Sequence, residues 1–184
     1  MDISIIISLA ALLISGFILL KDYILPAKLK IFVGDSLQIV YAARNKIQIN
    51  FNFTNSTNKL LVVNKLAATL DIPGNKQYTY VWNVFYRLKA VSSELEQLPT
   101  SIAVLAKSSA FQGIEFISSD TFKWVEGRYD FSISGWSNKG MGEDSNICKK
   151  VSFSLKKEDV EDLNASLDIP HMQGARLRQV KIIN

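Results

Sequence analysis

The residues able to do chemistry are few: among 184 there is one histidine, His171, and one cysteine, Cys148. A metal site needs His, Cys and carboxylates clustered at ligand spacing, and these two residues fall far apart on different predicted elements. A Cys–His nucleophilic pair would need them in contact, with a third group to orient the base. Cys148 shares its parity with Lys150 and Ser152, opposite to Val151 and Phe153, which predicts a partly exposed strand thiol. Glu158, Asp159, Glu161 and Asp162 are dense but read as the solvated face of a surface helix, without the glycine or ligand spacing of an EF-hand. Lys139-Gly140-Met141-Gly142 lacks the pattern of a phosphate-cradling loop and reads as a flexible hairpin. The N-x-[ST] triplets at Asn52, Asn55 and Asn164 occur at about the frequency that the Asn and Ser content makes ordinary. No catalytic residue, cofactor or metal site is expected, and the chain reads as a non-enzyme.

One spacing does point to recognition. Ser4, Ser8, Ala11 and Ser15 recur at i, i+4, i+7 and i+11, one narrow stripe of small residues along a helix, with Gly16 beside it. Small residues let helix backbones approach closely in lipid, so the stripe is a candidate helix-packing face. The element carrying it runs from Ile3 to Leu20 without a charged side chain, closed by Asp2 and by Lys21-Asp22. At 1.5 Å per residue it would extend roughly 27 Å. The expectation is a transmembrane helix with an interfacial turn over residues 1–25, making the protein a single-pass membrane protein. Its short acidic N-terminal flank and the absence of a cleavage pattern after it argue against a secretory signal. Lys21, Lys28 and Lys30 follow the stretch and none precedes it, which makes them candidate membrane-surface residues and places the domain on the cytoplasmic side.

Residues 28–184 carry strand periodicity. Lys46 to Thr54, KIQINFNFT, alternates Ile47, Ile49, Phe51 and Phe53 with polar residues, the pattern of a strand with one dry face. Arg128 to Ser134 and Cys148 to Leu155 alternate in the same way. Lys28 to Val33 and Leu37 to Ala42 read as two strands parted by a turn at Gly34-Asp35. Gln77 to Leu88 is aromatic-dense on both faces. Tyr78, Tyr80, Trp82, Val84 and Tyr86 share one parity, Val81 and Phe85 the other. Ser93-Glu94-Leu95-Glu96 has the form of a capping box and predicts a short helical turn, and a second helix is expected from Ser154 to Leu167. Further strands are predicted over residues 60–71, 101–106, 112–118 and 177–183.

Nine or ten short strands with turns every 8 to 12 residues predict a mainly all-β chain, an antiparallel Ig-like β-sandwich over residues 28–184. Here Ig-like describes architecture, since a single cysteine cannot form the B–F disulfide of true immunoglobulin domains. The Lys28 to Asp35 run, K-x-K-I-x-V-G-D, together with the apolar N-terminus, resembles bacterial single-span membrane proteins bearing such a sandwich. The INFNFTN run, Ile49 to Asn55, resembles the opening of late-embryogenesis-type sandwich domains. Neither resemblance implies a catalytic residue. A net charge of +4 without a Lys/Arg stripe excludes nucleic acid as an expected partner. The expected function is that of a membrane-anchored binding or scaffold protein, an accessory subunit of a membrane-associated complex. Its partners would be the lipid bilayer and a protein bound through the helix or the sandwich surface. The alternatives are a sandwich holding a lipid or small ligand near Tyr78 to Tyr86, or an enzyme with a loop-built site.

Overall fold

The computed structural model describes residues 3–20, 29–41, 44–88, 93–138, 144–165 and 176–183. Helix α1 (Ile3–Leu19) comes first, then strands β1 (Leu29–Tyr41), β2 (Asn45–Asn55), β3 (Leu61–Ile72) and β4 (Lys76–Leu88). They are followed by β5 (Ser93–Gln97), β6 (Ile102–Val104), β7 (Ser108–Ser118), β8 (Gly127–Ser137) and β9 (Ile147–Leu155). Helix α2 (Lys157–Ala165) and strand β10 (Arg176–Lys181) complete the chain.

All the strands belong to one ten-stranded sheet in the order β10-β1-β2-β7-β4-β3-β8-β9, with β5 on β4 and β6 on β3. Every pairing is antiparallel. The sheet curls until its outer strands meet, where the Ile183 N–H donates to the Ser152 carbonyl at 2.8 Å. The result is a nearly closed barrel with a seam between β9 and β10. This corrects the expected Ig-like sandwich, which needs two sheets packed face to face.

The cause of the correction is local. Gly34-Asp35 does not turn the chain. Residues 29–41 form one strand, with a register shift between Val33 and Leu37 where it pairs with β2. A second shift lies between Trp82 and Val84 where β4 meets β7. Bulges of this kind bend long strands and increase their twist, and a sheet so coiled closes on itself. Ser93–Gln97 is likewise a strand, paired with β4, and not the helical turn expected there. The predicted second helix is shorter than expected, because Ser154 and Leu155 remain in β9 opposite Arg128 and Gly127.

The expected transmembrane helix is also corrected. No helix among the described residues is long and apolar enough to cross a membrane. Helix α1 has 17 residues, about 26 Å at 1.5 Å per residue, whereas a span needs about 20 residues to cover some 30 Å of hydrocarbon. The single-pass membrane assignment falls with it. None of its residues is buried.

Side chains fill the barrel interior. Ile47, Ile49, Phe51 and Phe53 from β2 are fully buried and meet Phe116, Phe131 and Tyr80 from β7, β8 and β4. Phe116 lies edge-on to Phe51 and to Phe131, with centroids 6.2 and 5.6 Å away, and Phe131 meets Tyr80 at 5.5 Å. One end of the barrel is stopped by the 119–126 strap, whose Phe122 and Trp124 turn inward. Asn164 holds the strap by accepting the Trp124 N–H and donating to the Trp124 carbonyl. Asn45 donates to the Phe122 carbonyl. The other end is stopped by β6, through Ile102 and Val104. There Asn55 donates to the carbonyls of Lys59, Val104 and Leu105 and accepts from Thr57.

Candidate functional site

Strands β2, β7 and β4 run side by side, and their outward positions bring Gln48, Glu115 and Val84 into one row and Asn50, Gly113 and Tyr86 into the next. An outward carboxylate on a barrel would ordinarily be wet. Glu115 is instead 2% exposed. Its Oε1 receives the Lys46 ammonium at 3.0 Å and the Asn83 amide at 2.7 Å, while Oε2 accepts from the Gln48 amide at 2.8 Å. Such charge-assisted hydrogen bonds offset the desolvation of a buried anion. Next to it the Tyr86 hydroxyl donates to Asn50 Oδ1 at 3.2 Å. Burial, and secondarily the Glu115 charge, push the Tyr86 phenol well above its usual range, so it stays a neutral donor. Gly113 makes this packing possible, because a Cβ there would collide with the Tyr86 backbone and press on its ring.

Both Glu115 oxygens are already engaged, by Lys46, Asn83 and Gln48. The cluster is built to hold three strands in register. Asp130 on β8 is similarly engaged, by the Lys150 ammonium at 2.8 Å and the Ser152 hydroxyl at 2.6 Å. No group of three potential metal ligands occurs among the described residues. Cys148 is an exposed free thiol on β9, and His171 lies outside the described residues.

Glu158, Glu161 and Asp162 of the acidic run are exposed as expected, and Asp159 departs from that role. Asp159 and Asp162 of α2 both pair with Arg178 of β10, the second at 3.6 Å. Asp159 also accepts the Lys156 N–H and so caps its own helix. Asn55 and Asn164, marked by the sequence only as glycosylation triplets, are the side chains that tie down the two barrel ends. A polar residue in an otherwise apolar or loop-flanked position was the one available signal.

The stripe residues Ser4, Ser8, Ala11 and Ser15 are all exposed on α1. The Ser8 hydroxyl donates to the Ser4 carbonyl at 2.8 Å, one turn back along the same helix. That internal bond satisfies the hydroxyl without a partner and suits it to apolar surroundings. Lys30 is exposed near the start of β1. Lys21 and Lys28 lie outside the described residues.

The sequence matches no family model and no curated protein. Among solved structures, the chain is similar to part of a β-glucosidase from Kluyveromyces marxianus. The match is 13% identical, covers 71% of this chain and 14% of the glucosidase, and has a TM-score of 0.37. A likeness at that level carries no argument about fold or function.

Proposed function

We propose that the protein is a lipid-associated binding or scaffold module, with α1 as the anchor and the barrel as the folded platform that meets a protein partner. The observation carrying this is the complete exposure of α1. Ile5, Leu9, Leu12, Leu13 and Phe17 are each more than half exposed, and no side chain of the helix is buried against the barrel. A large apolar side chain gains about 1.5–3 kcal/mol on leaving water. Summed along α1, that drive exceeds the stability of most domains, so the helix belongs in an apolar medium outside the barrel. The lysines after it favour an anionic leaflet, which supports association from the cytoplasmic side. The filled barrel interior supports a surface-binding role over the holding of a lipid or small ligand inside. The saturated carboxylates support binding over catalysis.

Flotation of the full chain with phospholipid vesicles tests the anchor. The parent should rise with the vesicles. A Leu9→Glu, Leu13→Glu double variant should stay in the dense fraction while keeping its β-sheet circular dichroism. Equal flotation of the two would remove α1 from the role.

A further inference from the structure

We infer that the barrel end at which β1 begins is a second lipid contact, a rim that seats the barrel on an anionic bilayer surface. This rests on the lipid association proposed above and adds an orientation to it.

The antiparallel register defines the two ends. Leu29, Asn55 and Ser108 are aligned across β1, β2 and β7, and Leu61 of β3 lies beside Val104 of β6. The loops 56–60 and 105–107 therefore project from the same end. The β3–β4 hairpin at Ile72–Lys76 and the 119–126 strap lie at the opposite one.

Among the described residues, four of the barrel's eight exposed large apolar side chains gather at this rim, the others being Val81, Leu98, Val125 and Ile183. Leu105 is 67% exposed and Phe111 is 70% exposed, with Leu60 and Phe32 also more than half exposed. Phe32 and Phe111 flank Asn52 in one cross-strand row on the outer wall. In the far-end loops 73–75 and 119–126, Val125 is the exposed large apolar side chain.

The rim's charges suit an anionic surface. Lys30, Lys59 and Lys107 are the charged residues in the first turns of β1 and in loops 56–60 and 105–107. The 138–146 loop, which Asn138 ties to Leu60 and Val62, adds Lys139, Glu143 and Asp144, and Arg87 and Glu94 lie opposite each other where β4 meets β5 at the same end, so lysines still outnumber carboxylates. The loops are held in place. Asn55 binds the carbonyls of Lys59 and Leu105, the Lys107 N–H donates to the Thr57 carbonyl at 3.0 Å, and the Lys107 ammonium bonds to the Ser56 carbonyl at 2.9 Å. A rigid apolar rim with basic residues behind it avoids the ordering cost that a floppy loop would pay at the surface.

The tether from α1 joins the barrel at this same end. Residues 21–28 join α1 to Leu29, a stretch that covers at most about 30 Å fully extended. The far end lies a further strand length away, about 30 Å along a tilted barrel. With α1 in lipid, seating the rim leaves the tether slack, whereas seating the far end needs it stretched to nearly its full length, an ordering cost that favours the rim.

The test uses the full chain with Cys148→Ser and one new labelling site, Ala106→Cys at the rim or Lys76→Cys at the far end. Each carries an environment-sensitive fluorophore and is mixed with vesicles of about one-third phosphatidylserine containing headgroup-quencher lipid. Quenching should be at least about threefold stronger at position 106 than at 76. It should fall by about half or more when Lys30→Glu and Lys107→Glu are added. Vesicle association with equal quenching at the two positions overturns this inference and leaves the anchor standing. A failure of every variant to associate overturns both. Strong quenching at 106 that ignores the charge reversals overturns the anionic preference.

Discussion

Asp130 illustrates how a single side chain on the barrel wall couples stability to pH. The Lys150 and Ser152 hydrogen bonds hold its carboxyl below the usual carboxylate range, with the Lys150 and Arg128 charges adding to the effect. A carboxylate whose folded value is depressed contributes stability above its unfolded value, about 3.9, and loses it as pH falls through the folded value. Asp130→Asn should therefore be less stable than the parent at neutral pH. The gap should close progressively as pH falls below about 4 in urea titrations at each pH. A gap that persists unchanged in acid would assign the loss to packing and not to charge. Tyr129 shows the opposite sign. Burial pushes its phenol up to about 12, against the pull of its hydrogen bond with Val125. Its contribution is whole below about pH 10 and is lost as pH rises through about 12. Tyr80, pushed up chiefly by burial, and Tyr86 share that direction. Phenolate absorbance during alkaline titration should show all three ionising late, with unfolding.

Among the elements, α2 and β10 act together at the barrel's seam. Just past β10, Ile183 forms an isolated bridge with Ser152 of β9. The ion pairs from Arg178 to Asp159 and Asp162 hold α2 against β10 beside it. Leu163 of α2 is buried in the core, and Val180 and Ile182 close the same side. Arg178 is 40% exposed, so its pairs are screened and Arg178→Ala should cost only about 1 kcal/mol globally. Its effect should be local. Hydrogen exchange at the Ile183 amide, which donates to Ser152, should quicken more than exchange in β2 or β7. Uniform quickening across the barrel would show that the seam does not open by itself.

At the scale of the whole molecule the barrel and α1 are energetically separate. Every residue of the hydrophobic core lies beyond Leu29, and α1 buries nothing. The Leu9→Glu, Leu13→Glu variant should therefore melt within about 2 °C of the parent in mild detergent, although it loses vesicle binding. A drop several times larger, followed by circular dichroism, would mean that α1 packs on the barrel in solution.

Much of this architecture is legible from local pattern. Ile47 to Phe53 alternate with polar residues, and period two forces those side chains to one face whatever sheet the strand joins. Apolar and small residues without a charge from Ile3 to Leu20 favour a helix with no polar face. Other features depend on partners distant in sequence. In β4 the parity of Tyr78, Tyr80 and Trp82 points inward, but after the bulge it is Phe85 that joins the core, while Val84 and Tyr86 lie on the outer wall. No periodicity within that strand can reveal the switch, because the extra residue is defined only against β7. Ser93 to Gln97 has a capping-box sequence and becomes a strand because β4 offers it an unpaired edge, and backbone pairing outweighs a weak local preference. Glu115 reads as a wet position until Lys46, Gln48 and Asn83 are brought around it from two other strands. Whether the sheet closes into one barrel or splits into two layers is decided the same way. Closure depends on the summed twist and bulging of many strands, a property of their pairing that no single stretch of sequence contains.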